Sequence, residues 1–287
     1  MGCAGRVIRN FKKYFVSNTN HKPNLYIIKI GGNVIDDGKA LHAFLETFAA
    51  IKEKKILVHG GGKIATSLGE KMGIQSHYID GRRITNDDTI DLVTMAYGGL
   101  INKKITTILQ SLNCNAIGLT GSDNNLLPAK KRPVKTIDFG WVGDITAKEI
   151  NPAKWKSLLE NEMVPVMAPL THDGNGHILN TNADTIASML SVALSSLYQV
   201  KLIFCFEKNG VLLDVKDENS LINNLSETHY LQLKGQGSLF AGILPKIDNA
   251  FSAVHDGVSK VIIGNSAKLN LLLDGKSGTV INDENGE

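Results

Sequence analysis

The stretch Leu25-Tyr26-Ile27-Ile28-Lys29-Ile30-Gly31-Gly32-Asn33 constrains the fold more than any other part of the chain. Five of its first six residues are large and apolar, the pattern of a strand buried on both faces of a parallel sheet. The exception is Lys29, a charge placed where the strand is about to end. An unpaired ammonium in such a core is costly, so the lysine needs an anionic partner or a route to solvent. Two glycines follow at once, allowing a tight turn whose N–H groups come close to a ligand. In open α/β sheets the ligand crevice lies at the carboxyl ends of the strands. Two readings stay open from this stretch: a phosphate site, or a lysine that snorkels to solvent beside an ordinary turn.

The rest of the chain alternates in the same way. Residues 39–54 place Leu41, Phe44, Leu45, Phe48 and Ile51 at helical spacing, and 55–59 read as a second strand closed by Gly60-Gly61-Gly62. Residues 63–72 are helical, with Gly73 as the stop. A long helical region spans 87–112, with a candidate break at Gly98-Gly99. Residues 115–120 form a strand, 130–144 a hairpin, 152–159 a helix and 164–168 a strand. Beyond Pro169 come a helix over 182–197, a strand over 200–206, a polar loop over 214–224 and a variable region through Gly235 and Gly237. A helix over 244–255 and strands over 260–263 and 279–281 complete the chain. Alternating strands and helices predict a mostly parallel sheet with helices on both faces. We read two lobes sharing one sheet, 23–169 and 170–287, with 1–22 as an extension.

At 287 residues, the chain is long enough for a sizeable core. Its net charge of +3 is too small and too spread out to indicate nucleic acid. No apolar run approaches the roughly 20 residues that span a bilayer. Cys3, Cys114 and Cys205 are scattered and lack metal-ligand spacing, which suits a reducing cytoplasm. Residues 1–22 carry a short basic amphipathic segment, with Arg6, Arg9, Lys12 and Lys13 among Val7, Ile8, Phe11, Tyr14 and Phe15. It reads as an extension or an oligomer contact. Arg6 stands where the myristoylation pattern after Met1-Gly2 needs Ser or Thr.

Three further stretches carry chemistry. Gly60-Gly61-Gly62 presents N–H groups and a helix N-terminus to an anion. It is no Walker A loop, because Lys63 is followed by Ile64. It does satisfy G-x-G-x-x-A through Ala65, with Asp80 downstream, so a dinucleotide-binding turn is a rival reading. Asn180-Thr181-Asn182-Ala183-Asp184 opens a helix with more amides than one cap needs. In Gly242-Ile243-Leu244-Pro245-Lys246, proline fits a first helical position, which puts Lys246 where the helix dipole opposes a cation unless an anion is held there. With Asp184 orienting Lys29 and Lys246, two cations and two glycine turns suit a transferring phosphoryl group.

Lys29-Ile30-Gly31-Gly32, His59-Gly60-Gly61-Gly62, Gly81-Arg82-Arg83-Ile84-Thr85, Asn180 to Asp184 and Gly242 to Lys246 resemble, in order, the motifs of the amino-acid kinase family. The resemblance implies a three-layer αβα sandwich with an open, mainly parallel eight-stranded sheet. It implies ATP with Mg²⁺ in the C-terminal lobe, an N-acyl-L-glutamate in the N-terminal lobe, and phosphorylation of the side-chain carboxylate on the route to arginine. Carried over, Lys29 and Lys246 stabilise the migrating group, Asp184 holds both, and Gly31, Gly32 and Gly61 supply N–H contacts. Gly61, Gly62, Arg83, Asn180 and Asn182 bind the amino acid. Glu207, Asn209, Gly210, Gly242 and Lys246 face the nucleotide, and the metal rides on the ATP phosphates without a protein cage.

Glu207-Lys208-Asn209-Gly210 departs from the family's usual aspartate followed by an apolar residue. The loop 119–125 is also unusual, and Lys130, Lys131, Arg132 and Lys135 add charge near the acyl site. A solvated face accounts for that charge, and an acyl group with an extra carboxylate is the alternative, so N-acetyl-L-glutamate is expected first and N-succinyl-L-glutamate second. Relatives with an N-terminal helix can form arginine-inhibited hexamers, and residues 5–16 suit such a helix. Because 273–279 match the arginine-sensitive pattern poorly, the expectation is a cytoplasmic homodimer without arginine control. The rivals are a dinucleotide-dependent oxidoreductase, which leaves Lys29, Lys246 and Asp184 idle, and a non-catalytic amino-acid sensor.

Overall fold

A computed structural model describes residues 22–282 apart from 215, 240 and 241, so the readings on the first 21 residues lie outside the described residues. Eight strands form the central sheet: β1 (Asn24–Ile30), β2 (Lys54–His59), β3 (Ala116–Leu119), β4 (Val164–Met167), β5 (Gln199–Phe206), β6 (Asn224–Ser226), β7 (Lys260–Asn265) and β8 (Thr279–Asn282). Their spatial order is β6-β8-β7-β5-β1-β2-β4-β3, and every pairing is parallel except β7 with β8. Strands before Pro169 occupy one half of the sheet and strands after it the other. β1 sits at the junction, flanked by β2 and β5.

Alternation along β1 decides which side chains meet which helices. Leu25 and Ile27 enter one core with α6 (Pro152–Glu160), α7 (Ala183–Leu194) and α9 (Leu244–His255). Tyr26, Ile28 and Ile30 enter the opposite core, with α1 (Gly32–Asp36), α2 (Gly38–Ala50) and α5 (Asn102–Ser111). Lys29 therefore points to the α7 and α9 face. His59, in step with Leu57 on β2, points to the α5 face. These two side chains leave neighbouring strands in opposite directions.

Because the helices run back against the strands, their C-terminal carbonyls gather at the amino edge of the sheet. Lysines satisfy them there. Buried Lys55 donates to the carbonyls of Phe48, Ala49 and Ile51 at 2.9, 2.8 and 2.7 Å. Lys54 bonds Leu159 O at 2.6 Å, and Lys22 bonds Ser195 O at 2.7 Å. The anion-seeking lysines belong to the other edge.

Several elements differ from the sequence expectation. The first long helix stops at Ala50, where Ile51 turns extended. The helical region from Asp87 is not broken at Gly98-Gly99. It passes from α4 (Asp87–Val93) through a π-helical segment, Thr94–Ile101, into α5. Glycine's freedom is absorbed there as a wider turn rather than a break. The variable region from residue 224 contains β6 and the helix α8 (Glu227–Gly235), whose weak amphipathicity hides it in the sequence. Asp173 to Gly176 turn a hairpin between Leu170–His172 and Ile178–Asn180. The expected hairpin over 130–144 is present, pairing Lys130–Lys131 with Gly143–Asp144.

Candidate active site

Three side chains from three elements meet at the carboxyl end of β1. Lys29 Nζ lies 2.7 Å from Asp184 Oδ1, and Lys246 Nζ lies 2.5 Å from Asp184 Oδ2. The side chains keep 10%, 22% and 13% of their exposure for Lys29, Lys246 and Asp184, so solvent screens the triad weakly. The Lys29 contact is an ion pair rather than an aligned hydrogen bond, whereas Lys246 donates squarely to Oδ2. Burial pushes the Asp184 carboxyl up, but the charges of Lys29 and Lys246 overcome this and hold it well below the usual carboxylate range. Burial lowers the Lys29 ammonium, Asp184 opposes that fall, and the positive charge of Lys246 adds to it. One carboxylate thus balances one of two ammonium groups, and the site keeps a net positive charge for an anion.

Local sequence explains how each group arrives. Asp184 stands in the first turn of α7, whose N-cap Asn182 accepts from Asp184 N at 2.8 Å and Thr185 N at 3.1 Å. Pro245 at the start of α9 presets the backbone that carries Lys246. Gly61, the N-cap of α3 (Gly62–Met72), has φ +150°, and a Cβ there would collide with Ile101 and crowd the Tyr97 ring. Any other residue there must displace the Ile101 side chain and adopt a backbone conformation that L residues avoid.

A cavity of about 430 Å³ opens in front of this cluster, lined on the side of the lysines and glycine turns by Lys29, Gly31, Gly32, Gly62 and Lys246. Phe206, Glu207, Lys208, Gly210, Leu212, Gly242 and Ile243 contribute the strand-end and helix-start parts of its frame. The strand-end loop of that frame is tied down. Glu207 O accepts from Asn265 at 3.0 Å, and buried Thr279 takes Val211 N–H at 2.8 Å while donating to Ile222 O at 2.6 Å. Gly210 (φ +156°) packs where a Cβ would strike Thr279 and Leu221.

The remaining residues singled out in the sequence lie around this centre. Asp184 stands behind the lysines rather than in the cavity wall. Gly61 and Asn209 adjoin the lining residues Gly62, Lys208 and Gly210, and the Asn209 amide donates to Glu218 at 2.8 Å. Arg83 is buried beside the turn, with Nη2 donating to Gly62 O and Thr66 Oγ1 at 2.9 Å each, Nη1 to Ser76, and its guanidinium 4.8 Å from the Tyr78 ring. Among the described residues no carboxylate pairs with it. Asn180 donates to Thr85 Oγ1 at 3.0 Å. Asp80 occupies the turn of the small hairpin Tyr78–Ile79/Arg82–Arg83, not the end of a sheet strand, so the dinucleotide reading of Gly60 to Ala65 loses its acidic partner.

Sequence reasoning missed Asn33 and Lys63, which also line the cavity. The signal for Lys63 was available: like Lys246, it is a cation in the first turn of a helix. It also missed the support beneath the glycine turn. His59 Nδ1 bonds Gly60 O at 2.8 Å, and its Nε2 meets Asn102 Nδ2 at 3.2 Å. Because a carbonyl only accepts, Nδ1 carries the proton and Nε2 accepts from the amide. Burial lowers this imidazole to about 4, with the Gly60 contact opposing the fall, so it is neutral near pH 7. Cys205, behind Lys29, is pushed up to about 12 by burial and stays a thiol.

The amino acid kinase family model matches residues 24–265. The chain belongs to the amino acid kinase family. Among curated relatives it is 52% identical over 251 residues to the acetylglutamate kinase of Cytophaga hutchinsonii, covering 87% of this chain and 94% of that one. It is 47% identical over 260 residues to the acetylglutamate kinase of Phocaeicola vulgatus, covering 91% and 99%. A carbamate kinase from Giardia lamblia bound to AMP-PNP shares the fold, with a TM-score of 0.67, 16% identity, and coverage of 92% and 99%. The amino-acid kinase fold expected from the motifs is the one observed: a mainly parallel eight-stranded sheet between two helical layers. In this family the reading as a kinase accounts for Lys29, Asp184 and Lys246 together, which the oxidoreductase reading leaves without a task.

Proposed function

We propose that this chain transfers the γ-phosphoryl group of ATP to the side-chain carboxylate of N-acetyl-L-glutamate, a step of arginine biosynthesis. The observation that carries the reading is the convergence of Lys29 and Lys246 on Asp184 at the mouth of a glycine-walled cavity. The identity to acetylglutamate kinases supports the choice of acceptor. A carboxylate oxygen of the acceptor forms a bond to the γ-phosphorus as the bond from that phosphorus to the β–γ bridging oxygen breaks. The products are the acyl phosphate and ADP. No proton moves, because the acceptor is already ionised, and no protein nucleophile is needed.

The protein's part is placement and charge. Lys29 and Lys246 meet the charge on the migrating group, and Asp184 fixes both lysines so that little reorganisation is required. Gly31, Gly32 and Gly61 direct N–H groups at the phosphoryl oxygens. Gly61 and Gly62 border the acceptor, Arg83 takes its α-carboxylate in a forked contact, and Asn180 and Asn182 hold the remainder of the amino acid. Glu207, Asn209, Gly210, Gly242 and Lys246 border the nucleotide. The glycine walls and two ammonium groups suit a polyphosphate. Among the described residues no cluster of three His, Cys, Asp or Glu side chains is positioned to hold a metal. Mg²⁺ carried on the phosphates would supply further charge neutralisation.

In this reading residues 23–169 take the acyl-glutamate and 170–287 take ATP. Exposed Met95 and Leu100 on the π-helical segment support a homodimer formed through that lobe, with hexamers through residues 1–22 as the alternative. The proposed location is the cytoplasm, and no described helix is long and apolar enough to cross a membrane. Two of the four cations in the loop 130–135 have carboxylate partners: Lys130 lies 3.5 Å from Glu149 and Arg132 grips Asp144, while Lys131 sits 3.7 Å over the Trp141 ring. That pairing favours the neutral acetyl group over a succinyl group with its extra carboxylate.

Incubation with ATP, Mg²⁺ and each N-acyl glutamate, with hydroxylamine trapping of the acyl phosphate, tests the reading. Hydroxamate is expected with N-acetyl-L-glutamate. Absence of product with either acceptor would overturn the proposed reaction, and faster turnover of the succinyl compound would reverse the order of acceptors.

A further inference from the structure

Two cations in the cavity wall, Lys63 and Lys208, have no task in the mechanism above, and Lys63 is the one that rests beside both glycine turns. Lys63 is the second residue of α3, whose first turn contains no acidic residue. A cation there is opposed by the helix dipole by about 0.3–1 kcal/mol. Burial does not compensate, since the Lys63 side chain keeps 70% of its exposure. Lys246 stands in the same relation to the first turn of α9, which also lacks an acid. Two helices thus present first-turn lysines to one cavity.

Lys63 is held only lightly. Its ammonium rests on the side-chain oxygen of Asn33, the residue that follows Gly31-Gly32, and lies 3.9 Å from Asp36 Oδ2. An exposed pair at that separation contributes about 0–1 kcal/mol. The lysine is therefore docked beside both glycine turns by contacts weak enough to be exchanged for a stronger anion. Charge balance gives a reason for such an exchange. Asp184 cancels one of the two buried ammonium groups, leaving a single net positive charge for a group that carries more than one negative charge.

We propose that Lys63 is a third catalytic cation of this site. It leaves Asn33 and Asp36 when the nucleotide is bound, and donates to the oxygens of the migrating phosphoryl group from the side of the two glycine turns. The proposal rests on the kinase reading given above. Lys63 forms no covalent bond and gives up no proton. Asn33 and Asp36 act as its resting place, which keeps the long side chain near the turn at low entropic cost.

The test uses the full chain with Lys63→Met and Lys63→Arg, the hydroxamate assay, and calorimetric binding of inorganic tripolyphosphate. For Lys63→Met, kcat is expected to fall about tenfold to a hundredfold, less than for loss of a preorganised donor because Lys63 must first leave its resting contacts, with KM for N-acetyl-L-glutamate changed less than about twofold. Lys63→Arg keeps the charge and is expected within about fivefold of the parent. Tripolyphosphate should bind the Met variant about tenfold more weakly, while Tm moves by less than about 2 °C. Turnover by Lys63→Met within about twofold of the parent would overturn the proposal, as would equal losses in the Met and Arg variants with unchanged tripolyphosphate affinity. If the parent forms no hydroxamate from any N-acyl glutamate, the reaction reading fails on its own. The tripolyphosphate comparison then still decides Lys63: weaker binding by the Met variant supports its role, and equal binding refutes it.

Discussion

Replacing Asp184 by asparagine removes the charge between two ammonium groups while keeping the shape. The parent contacts of 2.7 and 2.5 Å, all on side chains less than a quarter exposed, make this a buried ion triad. Removing one partner from a buried pair costs about 3–5 kcal/mol. A second estimate bounds the loss from above. Lys29 can escape by giving up its proton, and discharging a lysine of ordinary pKa at pH 7 costs about 5 kcal/mol. The two figures agree, so Asp184→Asn should lose about 3–5 kcal/mol of unfolding free energy in urea at pH 7. The sign of its pH dependence follows from Lys29, which burial and Lys246 already push down. Without Asp184 the folded state binds fewer protons than the unfolded chain, so the variant should gain stability as pH rises from 7 toward 10, more steeply than the parent. Tripolyphosphate should stabilise the variant more than the parent, because it supplies the missing negative charge. Hydroxamate formation should fall by about a hundredfold or more, as the lysines lose their fixed positions. A stability loss below about 1 kcal/mol together with near-parental turnover would refute the claim that Asp184 organises the site.

Two further outcomes follow from the support beneath the glycine turn. His59 is held neutral at about 4 in the fold and titrates near its ordinary 6.5 when unfolded, so it takes up protons preferentially in the unfolded chain. Its contribution is intact above pH 6.5 and should be lost as pH falls toward 4, to a total of about 3 kcal/mol, visible as an acid-side drop in the urea midpoint that His59→Asn flattens. An equal drop in the variant would assign the acid sensitivity elsewhere. Gly61→Ala should destabilise the fold by about 1–3 kcal/mol, because its Cβ meets Ile101 and the Tyr97 ring in a backbone conformation side chains avoid. It should also lower kcat, whereas parental stability would show that the π-helical segment yields easily.

Much of this molecule was legible residue by residue. The apolar run ending in Lys29-Ile30-Gly31-Gly32 specifies a two-face-buried strand and a turn, because burial and backbone freedom are encoded locally. The caps at Asn182 and Gly73 are legible for the same reason. The weakly amphipathic helix Glu227–Gly235 and the π-helical passage through Gly98-Gly99 were not, since neighbouring packing rather than local preference decides them. What tertiary structure alone decided is which distant groups share a site. Strand parity turns Lys29 toward α7, but only the order β5-β1-β2 and the seating of α7 and α9 bring Asp184 and Lys246 to it. The same holds for Asn102 reaching His59 across the opposite face, and for Lys63 resting on Asn33. A pattern of nearest neighbours sets the shape of each segment. Meetings between segments depend on the register and order of the whole sheet, which no single stretch of sequence contains.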